Sequence, residues 1–208
     1  MTGIFKHIHL HPLQHILKTM IIDLTTNVSI NNPIFDWVRS QNNIPLAMGH
    51  IGTHLDTYEK TNIPLEYFKS RGVVFHVVGI AEVCTSHIAV ENIKEGDFVL
   101  FRTGQLEKYG YGKEEYFQNH PQLSNELIQE LIVRKVRFIG IDAPGIRQHA
   151  EHRNADCLCE RGGVYVIENV CNLEKLPNNS SITTYAMWLD DSEVTGLRCR
   201  VLAELDEK

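Results

Sequence analysis

The sequence predicts a single α/β domain with a mixed β-sheet and few helices. Short apolar runs rich in Val, Ile and Phe recur along the chain, some continuous, such as VVFHVV at 73–78, and some alternating. One clearly periodic helix stands among them, and no internal repeat or low-complexity segment interrupts the pattern. By element pattern alone, α+β stays open beside α/β. The chain has 208 residues, 43% of them hydrophobic and 22% charged, so one hydrophobic core suffices.

The first residues, MTGIFKHIHLHPLQHILKT, carry His7, His9, His11 and His15. A metal-binding tract is one reading, but Pro12 interrupts it and no acid or thiol lies nearby, so residues 1–19 are expected to be a peripheral or disordered extension. The folded domain then spans 20–208, opening with the strand IIDLT and a turn at NNP (31–33). Pro45 through His50 leads into a histidine-bearing strand. Residues 64–71 suit one or two helical turns, with Pro64 at the first position. Strands at 73–78 and 98–103 flank a short element at 89–93 and the turn KEGD. SNELIQELIVRKV (124–136) is the helix: Ser124 is placed to cap it, and Leu127, Ile128, Leu131 and Ile132 recur on one face. Next come a strand at 136–142, a polar loop over 143–163, and strands at 164–170, 183–189 and 197–205.

A net charge of −6 and the lack of any Lys/Arg cluster give no reason to bind a polyanion, so nucleic acid is not an expected partner. No apolar run approaches the ~20 residues that span a bilayer, and no membrane partner is expected. Five scattered cysteines, with no C-x-x-C pair and no secretory leader, read as reduced thiols in a cytoplasmic protein. Cys157 and Cys159 are better read as small buried hydrophobes than as zinc ligands.

The chemistry concentrates in GHIGTHLDTYEK (49–60). Gly52 and Thr53 disfavour a helix there and favour an extended strand or a turn, and in a strand His50, Gly52, His54 and Asp56 share one face. Two imidazoles and a carboxylate would then meet like half of a metal site, the alternative being hydrogen-bonded histidines. Glu168 stands inside the apolar strand VYVIENV and needs a cation, an exposed strand end or an ion pair. Asp142, at a strand end, reads as a loop cap. His76, His87, His120, His149 and His152 read as structural or solvated. Tyr58, Phe68, Tyr109, Tyr111 and Trp188 are candidates for an aromatic pocket.

HIGTHLD (50–56) resembles the first half of the H-x-G-T-H-x-D-x-P-x-H signature of the metal-dependent cyclase family, which includes bacterial kynurenine formamidases and isatin hydrolases. MIIDLT, EGDFVLFRTG (95–104), FIGIDAPGI (138–146) and GVYVIENVCNL (163–173) resemble further family blocks in the same order. The resemblance implies a swivelling β/β/α-type fold, usually a homodimer, with one or two divalent ions, Zn²⁺ or Mn²⁺. Carried onto this chain, the ligands are His50, His54, Asp56 and Glu168, which gives Glu168 its cation.

Two departures qualify this. The signature's last histidine is here Lys60, after Tyr58 in place of proline, so Lys60 becomes the candidate proton carrier or oxyanion partner. The family's histidine twelve positions before the late glutamate is here Asp156, a carboxylate that can complete the shell, with His149 and His152 nearby. The implied activity is metal-dependent hydrolysis of a small amide or lactam, cyclic or N-formyl. The alternative is an impaired member that binds a small metabolite. A chain beginning at Met20 is expected to stay soluble and active, checked by circular dichroism and amide turnover.

Overall fold

The computed structural model describes residues 19–206, so the four N-terminal histidines lie outside the described residues. The strands are β1 (Thr19–Asp23), β2 (His54–Asp56), β3 (Lys69–His76), β4 (Glu82–Val83), β5 (Phe98–Arg102), β6 (Gln122–Leu123), β7 (Phe138–Ile141), β8 (Tyr165–Glu168), β9 (Ser181–Trp188) and β10 (Gly196–Asp206). The helices are α1 (Ile34–Ser40), α2 (Ile44–Gly49), α3 (Gln105–Tyr109), α4 (Glu114–Phe117), α5 (Asn125–Val133) and α6 (His152–Arg161). Eight strands form one sheet in the order β1-β10-β2-β8-β7-β5-β3-β9, and β9 also pairs with β10, which closes the sheet into a barrel. The run β3, β5, β7, β8 is parallel, and the remaining pairs of this sheet are antiparallel. This is the mixed α/β domain with few helices that the sequence predicts.

The continuous apolar runs have a direct cause. Parallel strands need crossovers, and crossover helices cover the outer face while the barrel fills the inner one. Val73, Phe75, Val99, Phe101, Ile139, Ile141 and Val166 face outward into one core. Their alternates Val74, Phe98, Leu100, Phe138, Tyr165 and Ile167 fill the barrel interior. On the outer side α5 contributes Leu127, Ile128 and Leu131, and Ser124 caps it by accepting from the Leu127 N–H at 3.1 Å. Helix α6 adds Ala155 and Cys159 to the same core.

Two expectations are corrected, and helices lie where none is predicted. Residues 143–163 are not all loop, since α6 occupies half of them. Its buried face is Ala155, Asp156, Cys159 and Glu160, and the two acids there break the apolar period that reveals a helix. After Pro64, Leu65–Phe68 makes a single tight turn, and Lys69 already begins β3. Helix α1, with Ile34 and Val38 buried, is one of these unpredicted helices.

Asp142 is the loop cap expected of it. Its carboxylate accepts from the Thr103 N–H at 2.8 Å, the Thr103 hydroxyl at 2.5 Å and the Gly104 N–H at 2.8 Å, tying the end of β5 to the end of β7. Asp142→Asn sets an NH₂ group against a buried donor and is expected to lower unfolding free energy by about 1–3 kcal/mol, measured by urea denaturation.

Candidate metal centre

Four segments converge beside the barrel on its helix-covered side. Strand β2 supplies His54 and Asp56, two residues apart and so on one face, while Leu55 between them enters the barrel interior. Strand β8 pairs antiparallel with β2 and sets Glu168 directly opposite His54. Helix α6 brings His152 and Asp156, one helical turn apart. His50 arrives by a different route from the single extended strand expected over 50–56. Asn43 caps α2 by accepting from the Leu46 N–H, His50 follows its last residue, and Gly52 turns the chain with φ of +69° before β2 begins.

The distances are those that a coordination shell would need. His50 Nδ1 lies 3.1 Å from His54 Nε2 and 3.2 Å from Asp56 Oδ1, and His54 Nε2 lies 3.5 Å from both Asp56 Oδ1 and Glu168 Oε2. Ligands around tetrahedral zinc sit about 3.4 Å apart. On the other side His152 Nε2 is 3.0 Å from Glu168 Oε1 and 3.2 Å from Asp156 Oδ2. Two groups result, His50-His54-Asp56 and Asp56-His152-Asp156-Glu168, each with ligand atoms within 4.8 Å of one another. Asp56 belongs to both.

Asp56, Asp156 and Glu168 are each at most 3% exposed. Six buried side-chain polar atoms lack a hydrogen-bond partner among the described residues, and five are carboxylate oxygens of these three residues. The ring nitrogens beside them approach closely without hydrogen-bond direction. Orphaned carboxylates at this density are costly unless a cation takes the lone pairs, so the residues fit a divalent metal.

The supporting contacts aim the imidazoles. His54 Nδ1 lies 3.0 Å from the Gly52 carbonyl and His50 Nε2 lies 2.9 Å from the Thr195 hydroxyl, which leaves Nε2 of His54 and Nδ1 of His50 directed at the centre. A Cβ on Gly196 would meet His50 Nδ1 at 2.8 Å, so only glycine leaves that ring its place. Thr53 accepts from the Thr26 N–H and donates to the Asn169 carbonyl, fixing the residue before His54 to the residue after Glu168.

The buried charges act strongly on one another. Burial works to lower His54, but Asp56 and Glu168 outweigh it and raise it to about 9. His152 is raised to about 10, chiefly by Glu168. Burial would raise Asp56, yet His54 and His50 hold it below the usual carboxylate range. Asp156 is pushed well above that range by burial, then by Asp56.

All five expected ligands therefore meet, and His152, which reads as structural or solvated by itself but lies near enough to Asp156 to restore the imidazole that the resemblance leads one to expect, joins them. Its signal was the His152–Asp156 spacing of four, visible only once α6 is known. Lys60 is not brought into the group: its side chain is exposed and its ammonium donates to the Ser192 carbonyl. Cys157 and Cys159 take no part, Cys159 being packed in the outer core. A cavity of about 770 Å³ opens onto the histidines, with Trp37, Tyr58, Phe117, His120, Pro144 and His149 in its walls. Of the expected pocket aromatics, Tyr58 alone lines it. Tyr111 accepts from the Gly52 N–H behind it, Trp188 packs on Phe138, Phe68 packs on Tyr185, and Tyr109 lines a separate depression.

The model of the Cyclase family, described as "Putative cyclase", matches residues 22–148. Among solved structures, a potential metal-dependent hydrolase with cyclase activity aligns with TM-score 0.72 at 21% identity, covering 92% of this chain and 100% of that one. Isatin hydrolase A from Labrenzia aggregata aligns at 0.72 and 22% identity, covering 91% and 94%. An isatin hydrolase bound to the product analogue thioisatinate aligns at 0.73 and 17%, covering 91% and 93%. At these identities the likeness establishes a shared fold. No curated protein sequence matches.

Asp156→Asn removes one of the crowded carboxylates. The chelator-treated variant is expected to melt at or above the parent temperature, while the rise in melting temperature on adding Zn²⁺ or Mn²⁺ shrinks. His54→Ala should lose that rise as well. A full metal-dependent rise in Asp156→Asn would remove Asp156 from the ligand set.

Proposed function

This chain belongs to the Cyclase family, and from that premise we propose that it is a metal-dependent hydrolase of a small amide, either a lactam or an N-formyl amide. The observation that carries the reading is the set of orphaned buried carboxylates beside three histidines, opening onto a cavity of substrate size. Isatin hydrolase neighbours, named for a cyclic amide, support the substrate class.

His50, His54, Asp56, Asp156 and Glu168 would hold one or two ions, with His152 beside Asp156 and Glu168. Asp56, shared by both groups, suits a pair of sites. The carboxylate-rich second group inclines toward Mn²⁺ and the histidine-rich first toward Zn²⁺. A bound divalent ion supplies a water of pKa near 7 and polarises the carbonyl. The chain's own part is orientation and exclusion of water. Trp37, Phe117 and Pro144 offer apolar surface to a planar substrate, and the Gly52 and Thr195 contacts keep the imidazoles aimed. In the overall reaction a water oxygen bonds to the carbonyl carbon, the C–N bond breaks, and the nitrogen leaves with a proton from that water.

The role of proton carrier or oxyanion partner carried over to Lys60 requires its ammonium to leave the Ser192 carbonyl. That contact also motivates a second reading, a metal-bearing family member that binds a metabolite without turnover.

Zn²⁺- or Mn²⁺-loaded protein should hydrolyse isatin or N-formylkynurenine, and a chelator or His54→Ala should reduce turnover at least a thousandfold. Metal-bound protein with no turnover across a panel of lactams and formamides would favour the binding reading. A tenfold or greater loss in Lys60→Ala supports the lysine's role, and unchanged turnover removes it.

A further inference from the structure

Resting on the hydrolase reading above, we infer that the Tyr58 hydroxyl is the hydrogen-bond donor to the substrate carbonyl oxygen as it becomes an oxyanion. Tyr58 stands two residues after Asp56, where the signature has proline, and lines the cavity with His50, His54, His152 and Glu168. Its ring stacks on His50 with centroids 5.9 Å apart and planes 24° apart, and the Arg153 guanidinium lies 5.2 Å from its centre. The ring is therefore held from more than one side.

The backbone around it is clamped by one buried carboxylate on α6. Glu160 accepts from the Thr57 hydroxyl at 3.1 Å, the Glu59 N–H at 2.8 Å, and the Thr61 N–H and hydroxyl at 3.0 and 2.9 Å. Those four bonds bracket Tyr58 on both sides in sequence. They also tie the loop after the β2 ligands to the helix that carries His152 and Asp156.

Within this fixed frame the Tyr58 hydroxyl has no hydrogen-bond partner among the described residues. Neighbouring phenols are engaged: Tyr111 accepts from the Gly52 N–H, Tyr116 donates to Asn169 Oδ1 at 2.6 Å, and Tyr165 pairs with the Thr61 hydroxyl. A held phenol in the wall of a cavity floored by the candidate ligands, its hydroxyl without a partner among the described residues, is suited to oxyanion stabilisation. Lys60, three residues closer to the end of the same loop than Thr57, is turned to Ser192.

The step balances without moving the phenol's proton. As the water oxygen bonds to carbon, the carbonyl π pair moves onto the oxygen, where Tyr58 Oη–H donates. Collapse returns the pair, breaks the C–N bond, and the nitrogen leaves with the proton given up by the water. A phenol is protonated at neutral pH and adds no cation beside the ligands.

The test compares full-length, metal-loaded parent with Tyr58→Phe, which keeps the ring and its stacking. Four readouts are taken: kcat and KM on isatin or N-formylkynurenine, thioisatinate affinity by calorimetry, metal content and melting temperature. The expected result is kcat lower by about 100-fold with KM within about 3-fold, weaker thioisatinate binding, and unchanged metal content and melting temperature. Turnover and affinity both within about 3-fold of the parent overturn the assignment, as does loss of metal, which shows a structural role. If the parent itself turns over no amide, the hydrolase reading fails separately, and equal thioisatinate binding by both proteins, or none by either, overturns the Tyr58 assignment.

Discussion

Three carboxylates buried against one another are the constraint around which this molecule is arranged. Asp56, Asp156 and Glu168 arrive from β2, α6 and β8, and none would be tolerated in an apolar interior without compensation worth several kcal/mol. Histidines at 3.0–3.5 Å supply part of that compensation, and the orphaned oxygens mark what is left for a cation.

The architecture converts this constraint into precision. Antiparallel register between β2 and β8 sets His54 opposite Glu168 without any loop being involved. The alternation of strand residues sends Leu55 and Ile167 into the barrel and leaves His54, Asp56 and Glu168 on the helix side. Helix α6 is a crossover between parallel strands, so the topology that covers the outer face also delivers His152 and Asp156. Glu160, one turn farther along α6, fixes the loop after β2. A single helix thus supplies candidate ligands, a contribution to the core and a clamp.

Much of this was legible in the sequence. Strands buried on both faces announce themselves as apolar runs, and Glu168 stood out because it violates one of them. His50, His54 and Asp56 are recognisable as a group, and strand alternation does set His54 and Asp56 on one face, whereas a helix and a glycine turn bring His50 in. The rest was hidden for a physical reason. Helix α6 buries Asp156 and Glu160 on its inner face, so the hydrophobic period that reveals a helix is absent where the site needs it most. His152 therefore stands in the sequence only as a histidine near Asp156, and Tyr58 as one aromatic among five. Lys60 stands out in the sequence by its place in a motif, whereas its exposed position on the Ser192 carbonyl depends on loop geometry that no spacing encodes.

Elemental mass spectrometry of freshly purified, untagged protein beside His54→Ala tests the claim that a metal resolves the buried carboxylates. One or two Zn or Mn per chain in the parent, lost in the variant, is the expected result. Parent protein without metal, even after supplementation with both ions, would contradict it and leave the cluster to be explained by protonated histidines alone.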